Sequence, residues 1–190
     1  MINKPSDWEE IQPAGLGGRL PADGYVLHII DAEVKTSESG WQYLDLTIDI
    51  AEGDFKNYYA RNYENQSGDK NWRGHYRQGT PANKNSGGYF KGLITAIEQS
   101  NQGYQWDWNE KSLIGKEVGC LFRDEEWEYN GHSGLRATPF RATTSEKIRS
   151  GDFQVPQPKY LNQNNQQRGA QASTASAITF EQVRDQDIPF

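Results

Sequence analysis

The stretch Tyr43-Leu44-Asp45-Leu46-Thr47-Ile48-Asp49-Ile50 alternates without a break, with Leu44, Leu46, Ile48 and Ile50 on one face and Tyr43, Asp45, Thr47 and Asp49 on the other. A period of two belongs to a strand that lays one face on a core and turns the other away. Just before it, Ser37-Glu38-Ser39-Gly40 supplies turn chemistry, and Tyr25-Val26-Leu27-His28-Ile29-Ile30 reads as a buried first strand beginning at Gly24. Just after it, Glu52-Gly53-Asp54 turns the chain into residues 55–63, where the tyrosines favour a third strand. Alternation there places Tyr59, Arg61 and Tyr63 on one face and Tyr58 on the opposite one. Further on, Phe90, Leu93, Ile94 and Ile97 recur at i, i+3, i+4 and i+7, the apolar face of a short helix, with Asn101 and Gly103 as stop signals. A fourth strand is expected over 116–129 and a fifth over 135–142. Asn130-Gly131 joins them in a tight hairpin, because both central positions of that turn need positive φ. Pro139 cannot donate a ladder hydrogen bond, so it belongs at an edge or a bulge.

Three strands, one helix and two strands make a mainly β chain. That order suggests a five-stranded oligonucleotide/oligosaccharide-binding barrel, the OB-fold, with one helix between its third and fourth strands. At 190 residues the chain is long enough to bury a real core in one domain. The expected organisation is an irregular lead-in at 1–22, rich in Pro and Gly, a barrel domain at 23–155, a linker at 156–179 and an acidic tip at 180–190. The linker is dominated by Gln, Asn, Ser and Ala, which bury too little apolar surface to offset chain entropy, so it is expected to be disordered. As a flexible coil it spans about 25–30 Å.

The formal net charge is −6, yet the cations are not spread evenly. Between Lys56 and Lys91 stand Lys56, Arg61, Lys70, Arg73, Arg77, Lys84 and Lys91 against only Glu64 and Asp69, a local charge of +5. Tyr58, Tyr59, Tyr63, Trp72, His75, Tyr76, Tyr89 and Phe90 interleave with them. Cations follow phosphates and aromatic faces stack on unpaired bases, at about 1–3 kcal/mol per base, whatever the base. Taken singly, these tyrosines are ordinary sheet residues and the charges a solvated face. As a set they point to single-stranded DNA, with Lys56, Tyr58, Tyr59, Arg61, Tyr63, Trp72, Arg73, Tyr76, Arg77 and Lys84 as candidate contacts. Trp41 and Tyr43 on the second strand and Trp127 and Tyr129 on the fourth are second choices, which either extend the platform or pack at the core or an edge. The glycine-rich segment 65–88 is expected to be a mobile loop that closes over the strand, while Trp106 and Trp108 beside the helix are expected to pack.

Other chemistry lacks its residues. His28, His75 and His132 are far apart with no neighbouring ligand set, so neither metal nor cofactor is expected. Gly15, Gly17 and Gly18 do not form a phosphate-cradling loop between a strand and a helix. The acids Asp124, Glu125, Glu126 and Glu128 read as a solvated strand face rather than a catalytic pair, and the chain is not expected to be an enzyme. Cys120 alternates with Val118 and Phe122 and reads as a core residue. No segment approaches membrane-spanning length or resembles a secretion signal, which points to the cytoplasm.

The sequence closes on Asp185-Gln186-Asp187-Ile188-Pro189-Phe190, acids followed by an apolar tripeptide. It resembles the acidic C-terminal tip of bacterial and phage single-stranded DNA-binding proteins. The resemblance rests on Asp185, Asp187, Ile188, Pro189 and Phe190 behind a low-complexity spacer, while Gln186 and Arg184 weaken the charge relative to the family pattern. It implies an OB-fold that coats single-stranded DNA during replication or recombination, and a tip that docks into replication, repair or recombination enzymes. A homo-oligomer is compatible with it. The alternative reading is a carbohydrate-binding β module, since Trp and Tyr platforms also stack on sugar rings.

Overall fold

The computed structural model describes residues 4, 19–81 and 87–161. The chain divides into two units, Met1–Pro158 and Lys159–Phe190. Of the second, only residues 159–161 are described, so most of the expected linker and the whole tip lie outside the described residues, as does Lys84.

In the first unit, one antiparallel sheet has the order β3-β2-β1-β4-β5. Its strands are β1 (Gly24–Thr36), β2 (Gln42–Ile50), β3 (His75–Gly79), β4 (Glu117–Tyr129) and β5 (His132–Thr143). Three α-helices accompany them among the described residues: α1 (Tyr58–Glu64), α2 (Gly88–Ser100) and α3 (Ser145–Ser150). The first, second, fourth and fifth expected strands and the expected helix are all present. Asn130 and Gly131 take φ of 48° and 76°, as the tight hairpin requires. Pro139 sits on the edge strand β5 beside a register shift opposite Leu121 and Phe122.

Two expectations are corrected. The tyrosine-rich segment 55–63 is not the third strand, because residues 58–64 form α1. Asn57 turns in with φ of 58°, and the Asp49 carboxylate accepts the backbone N–H groups of Tyr59 and Ala60 at 2.9 Å each. That carboxylate satisfies the free donors of the first turn, as a capping side chain does, and overrides the strand preference of tyrosine. The third strand lies instead within the segment expected to be a mobile loop. There β3 pairs with β2, Leu46 opposite Tyr76 and Asp45 opposite Arg77.

The core lies on the inner face of the sheet. Leu27, Ile29, Leu44, Leu46, Ile48, Val118, Cys120 and Phe122 pack against Phe90, Leu93, Ile94 and Ile97 of α2. Asn101 ties the end of α2 to β4, its amide donating to the carbonyls of Ile97 (2.7 Å) and Glu117 (2.8 Å) while its oxygen accepts the N–H of Glu117. Cys120 is fully buried, and desolvation pushes its thiol up to about 12. The sheet is open among the described residues, with β3 and β5 at its edges, so the closed barrel is not observed. Tyr76, the one buried side chain of β3, is part of the same core.

Candidate nucleic-acid interface

The outer faces of β1, β2 and β3 carry the chemistry that alternation turns away from the core. Cross-strand pairing sets Tyr43 beside Lys35 and Gly79, and Asp45 between Glu33 and Arg77. Trp41, half exposed at 52%, stacks on Tyr43 with ring centroids 4.8 Å apart and planes 17° apart. Gly79 leaves room for the indole, since a Cβ there would come within 3.1 Å of Trp41 Nε1. The Arg77 guanidinium lies 5.8 Å from the centre of the Tyr43 ring. The result is a flat aromatic pair, open to solvent on the Trp41 side, with a cation against it.

Asp45 holds this arrangement from below. It is 2% exposed and receives Lys35 Nζ at 2.9 Å, His75 Nδ1 at 3.1 Å and Arg77 Nε at 3.4 Å. Burial alone would raise its carboxyl, but these three partners outweigh burial and hold it below the ordinary aspartate range. Arg77 commits only Nε to Asp45, and its terminal nitrogens make no hydrogen bond to a described residue. On the other side of the imidazole, His75 Nε2 lies 3.2 Å from the Trp72 carbonyl. A continuous chain of contacts therefore runs from Tyr43 through Arg77, Asp45 and His75 to Trp72.

Trp72 begins a second aromatic group. Its indole N–H donates to the carbonyls of Ile48 (3.2 Å) and Gly74 (3.1 Å), and its ring meets Tyr63 at 5.8 Å. Lys70 Nζ lies 5.5 Å from the Tyr63 ring centre. Lys56 is exposed beside Trp72, in a recess of about 490 Å³ that His28 and Ile30 also line. Arg61 is half-buried on α1.

Comparison with models of known protein families finds no match. None of the curated proteins matches the chain significantly either.

The remaining candidates are placed differently from one another. Tyr59 and Tyr76, at 8% and 7% exposure, are core residues with no ring face left for a base, and burial raises both phenols above the ordinary tyrosine range. Tyr58 is half-buried and its hydroxyl accepts the backbone N–H of Leu20 at 3.4 Å. Arg73 is exposed, away from the stacked pair, on a groove beside α1. Trp106 packs on Phe90 as expected, at 5.3 Å, whereas Trp108 is exposed. Residue types and spacing did not single out Asp45 as the anchor of the cations or Gly79 as the seat of Trp41. The period of β2 did place Asp45 on the outer face, and only the late position of β3 hid its partners. Among the described residues no three His, Cys, Asp or Glu side chains gather as a metal site, and no helix is long and apolar enough to cross a membrane.

Proposed function

We propose that this chain binds single-stranded DNA with little sequence preference, without catalysing a reaction, and serves replication or recombination by coating the strand. The observation that carries the reading is the exposed Trp41–Tyr43 stack with Arg77 against it. A flat indole open to solvent offers a face to any base, and guanidinium nitrogens beside it offer donors to the adjoining phosphate. The sheet order is compatible with an OB barrel cut open between β3 and β5. The segment Asp185 to Phe190 is the recruiting element for partner enzymes in this reading, through an apolar Ile188-Pro189-Phe190 end and acids suited to a basic pocket rim.

Fluorescence anisotropy with labelled oligonucleotides, single-stranded against duplex of the same sequence at two salt concentrations, tests the reading. Tight, salt-sensitive preference for the single strand is the expected result, with Trp41→Ala weakening it. Absence of binding to either form overturns the reading, and binding to an oligosaccharide that Trp41→Ala abolishes puts a carbohydrate in its place.

A further inference from the structure

A second cationic feature lies apart from the stacked pair. Arg19, Arg73 and Arg136, from three distant parts of the sequence, line one groove of about 620 Å³ together with Tyr58, Asn62 and Gln66. Its volume falls in the range of small-ligand sites, roughly 300–1,000 Å³. None of the lining residues is acidic.

The three arginines are placed in different ways. The Arg19 fork grips Asp124 with two bonds, at 2.7 and 3.1 Å, and the next residue, Leu20, is buried. Arg73 sits between Trp72, whose indole is fixed by two carbonyls, and Gly74, where a Cβ would strike Ile48 and Tyr59. Arg136 stands opposite Glu125 on the β4–β5 ladder, but that carboxylate is already taken by Arg123 at 2.6 and 2.9 Å. Arg73 and Arg136 make no ion pair with a described residue, so the groove is lined by two unpaired arginines and a third paired with Asp124. Like charges brought together in a protein that carries −6 overall raise its energy unless an anion joins them. The planar fork of arginine fits phosphate oxygens two at a time.

We infer that this groove is a phosphate-binding site, separate from the Trp41–Tyr43 stack, that takes either a phosphodiester of a bound strand or the phosphate of a free nucleotide. The first source rests on the single-strand reading above; the second does not.

The test compares the wild-type chain with Arg73→Gln/Arg136→Gln, Arg73→Lys/Arg136→Lys and Trp41→Ala, with thermal melts confirming that each folds. For an oligothymidine strand, the slope of log affinity against log salt falls by about 0.7 for each phosphate no longer neutralised, so the double Gln variant, which loses the one phosphodiester of the groove, is shallower by about 0.7. The double Lys variant recovers most of the slope, and Trp41→Ala weakens binding with the slope unchanged. An unaltered slope in the double Gln variant overturns the strand-phosphate source while leaving the single-strand reading intact. The second arm follows the melting temperature with pyrophosphate and with a nucleoside triphosphate. A rise in the wild type that the double Gln variant lacks supports the groove as a phosphate site even where no strand binds. No rise, together with an unaltered slope, overturns the inference entirely.

Discussion

At the scale of single residues, Asp45 separates stability from recognition. Its carboxylate is buried while Lys35, His75 and Arg77 reach it from partly exposed positions. Asp45→Asn removes a charge-assisted network worth about 2 kcal/mol and frees Arg77 and Trp72 from a common anchor. The depressed carboxyl fixes the sign of the pH dependence. Its contribution is complete above about pH 4, the unfolded range for aspartate, and is lost as pH falls through the lower folded value. Asp31, lowered chiefly by its bond from Lys111, acts in the same direction but is half in solvent and contributes little. Urea melts of the wild type from pH 7 to pH 3 are expected to lose stability below pH 4, and Asp45→Asn to start lower and fall less. Equal slopes for both proteins would remove Asp45 from the account. Tyrosines that look alike in the sequence divide just as sharply. Tyr59→Ala empties a core position and is expected to cost about 3–5 kcal/mol, whereas Trp41→Ala leaves the melting temperature nearly unchanged and weakens strand binding.

At the scale of elements, what was legible followed from period and turn chemistry. The strict alternation of Leu44 to Ile50, the i, i+3, i+4, i+7 set of α2 and the Asn130-Gly131 turn each have one physical reading, and each element stands where that reading puts it. The segment 55–79 misleads because its decisive contacts are distant in sequence. Asp49 caps α1 from the preceding strand, and β3 is only five residues long, with one buried side chain, Tyr76. Strand preference in Tyr58 and Tyr59 is a matter of tenths of a kcal/mol and yields to such contacts. Part of the candidate site was hidden with it, since Gly79 and Arg77 meet Tyr43 and Asp45 only once β3 pairs with β2. Two substitutions probe these elements. Asp49→Ala unsatisfies the first turn of α1 and is expected to cost about 1–2 kcal/mol, read from the urea midpoint. Gly131→Ala forces a side chain onto positive φ and is expected to cost about 1 kcal/mol without changing affinity for a strand.

At the scale of the whole molecule, the proposed function requires a chain of net charge −6 to hold an anionic polymer through a face on which cations prevail. The groove gathers Arg19, Arg73 and Arg136, the outer sheet adds Arg77, and Glu52 and Glu117 are drawn off to Arg149 on α3. Acids elsewhere therefore oppose encounter at long range, and within a Debye length of about 10 Å at 0.1 M salt the local cations dominate. The segment Asp185 to Phe190 adds two such acids and, in the proposed reading, an apolar end that serves a partner enzyme rather than the strand. Its deletion is expected to leave affinity for single-stranded DNA unchanged or slightly raised, most visibly at low salt where repulsion is least screened, while abolishing capture of the partner enzyme. Anisotropy titrations of the full and shortened chains at two salt concentrations measure the first effect, and co-sedimentation with a strand-bound partner measures the second. A shortened chain that no longer binds DNA would show that the tip belongs to the strand-binding surface. One that binds DNA but still recruits its partner would move recruitment onto the folded unit, where Tyr89, Trp108 and Tyr129 are exposed aromatic side chains.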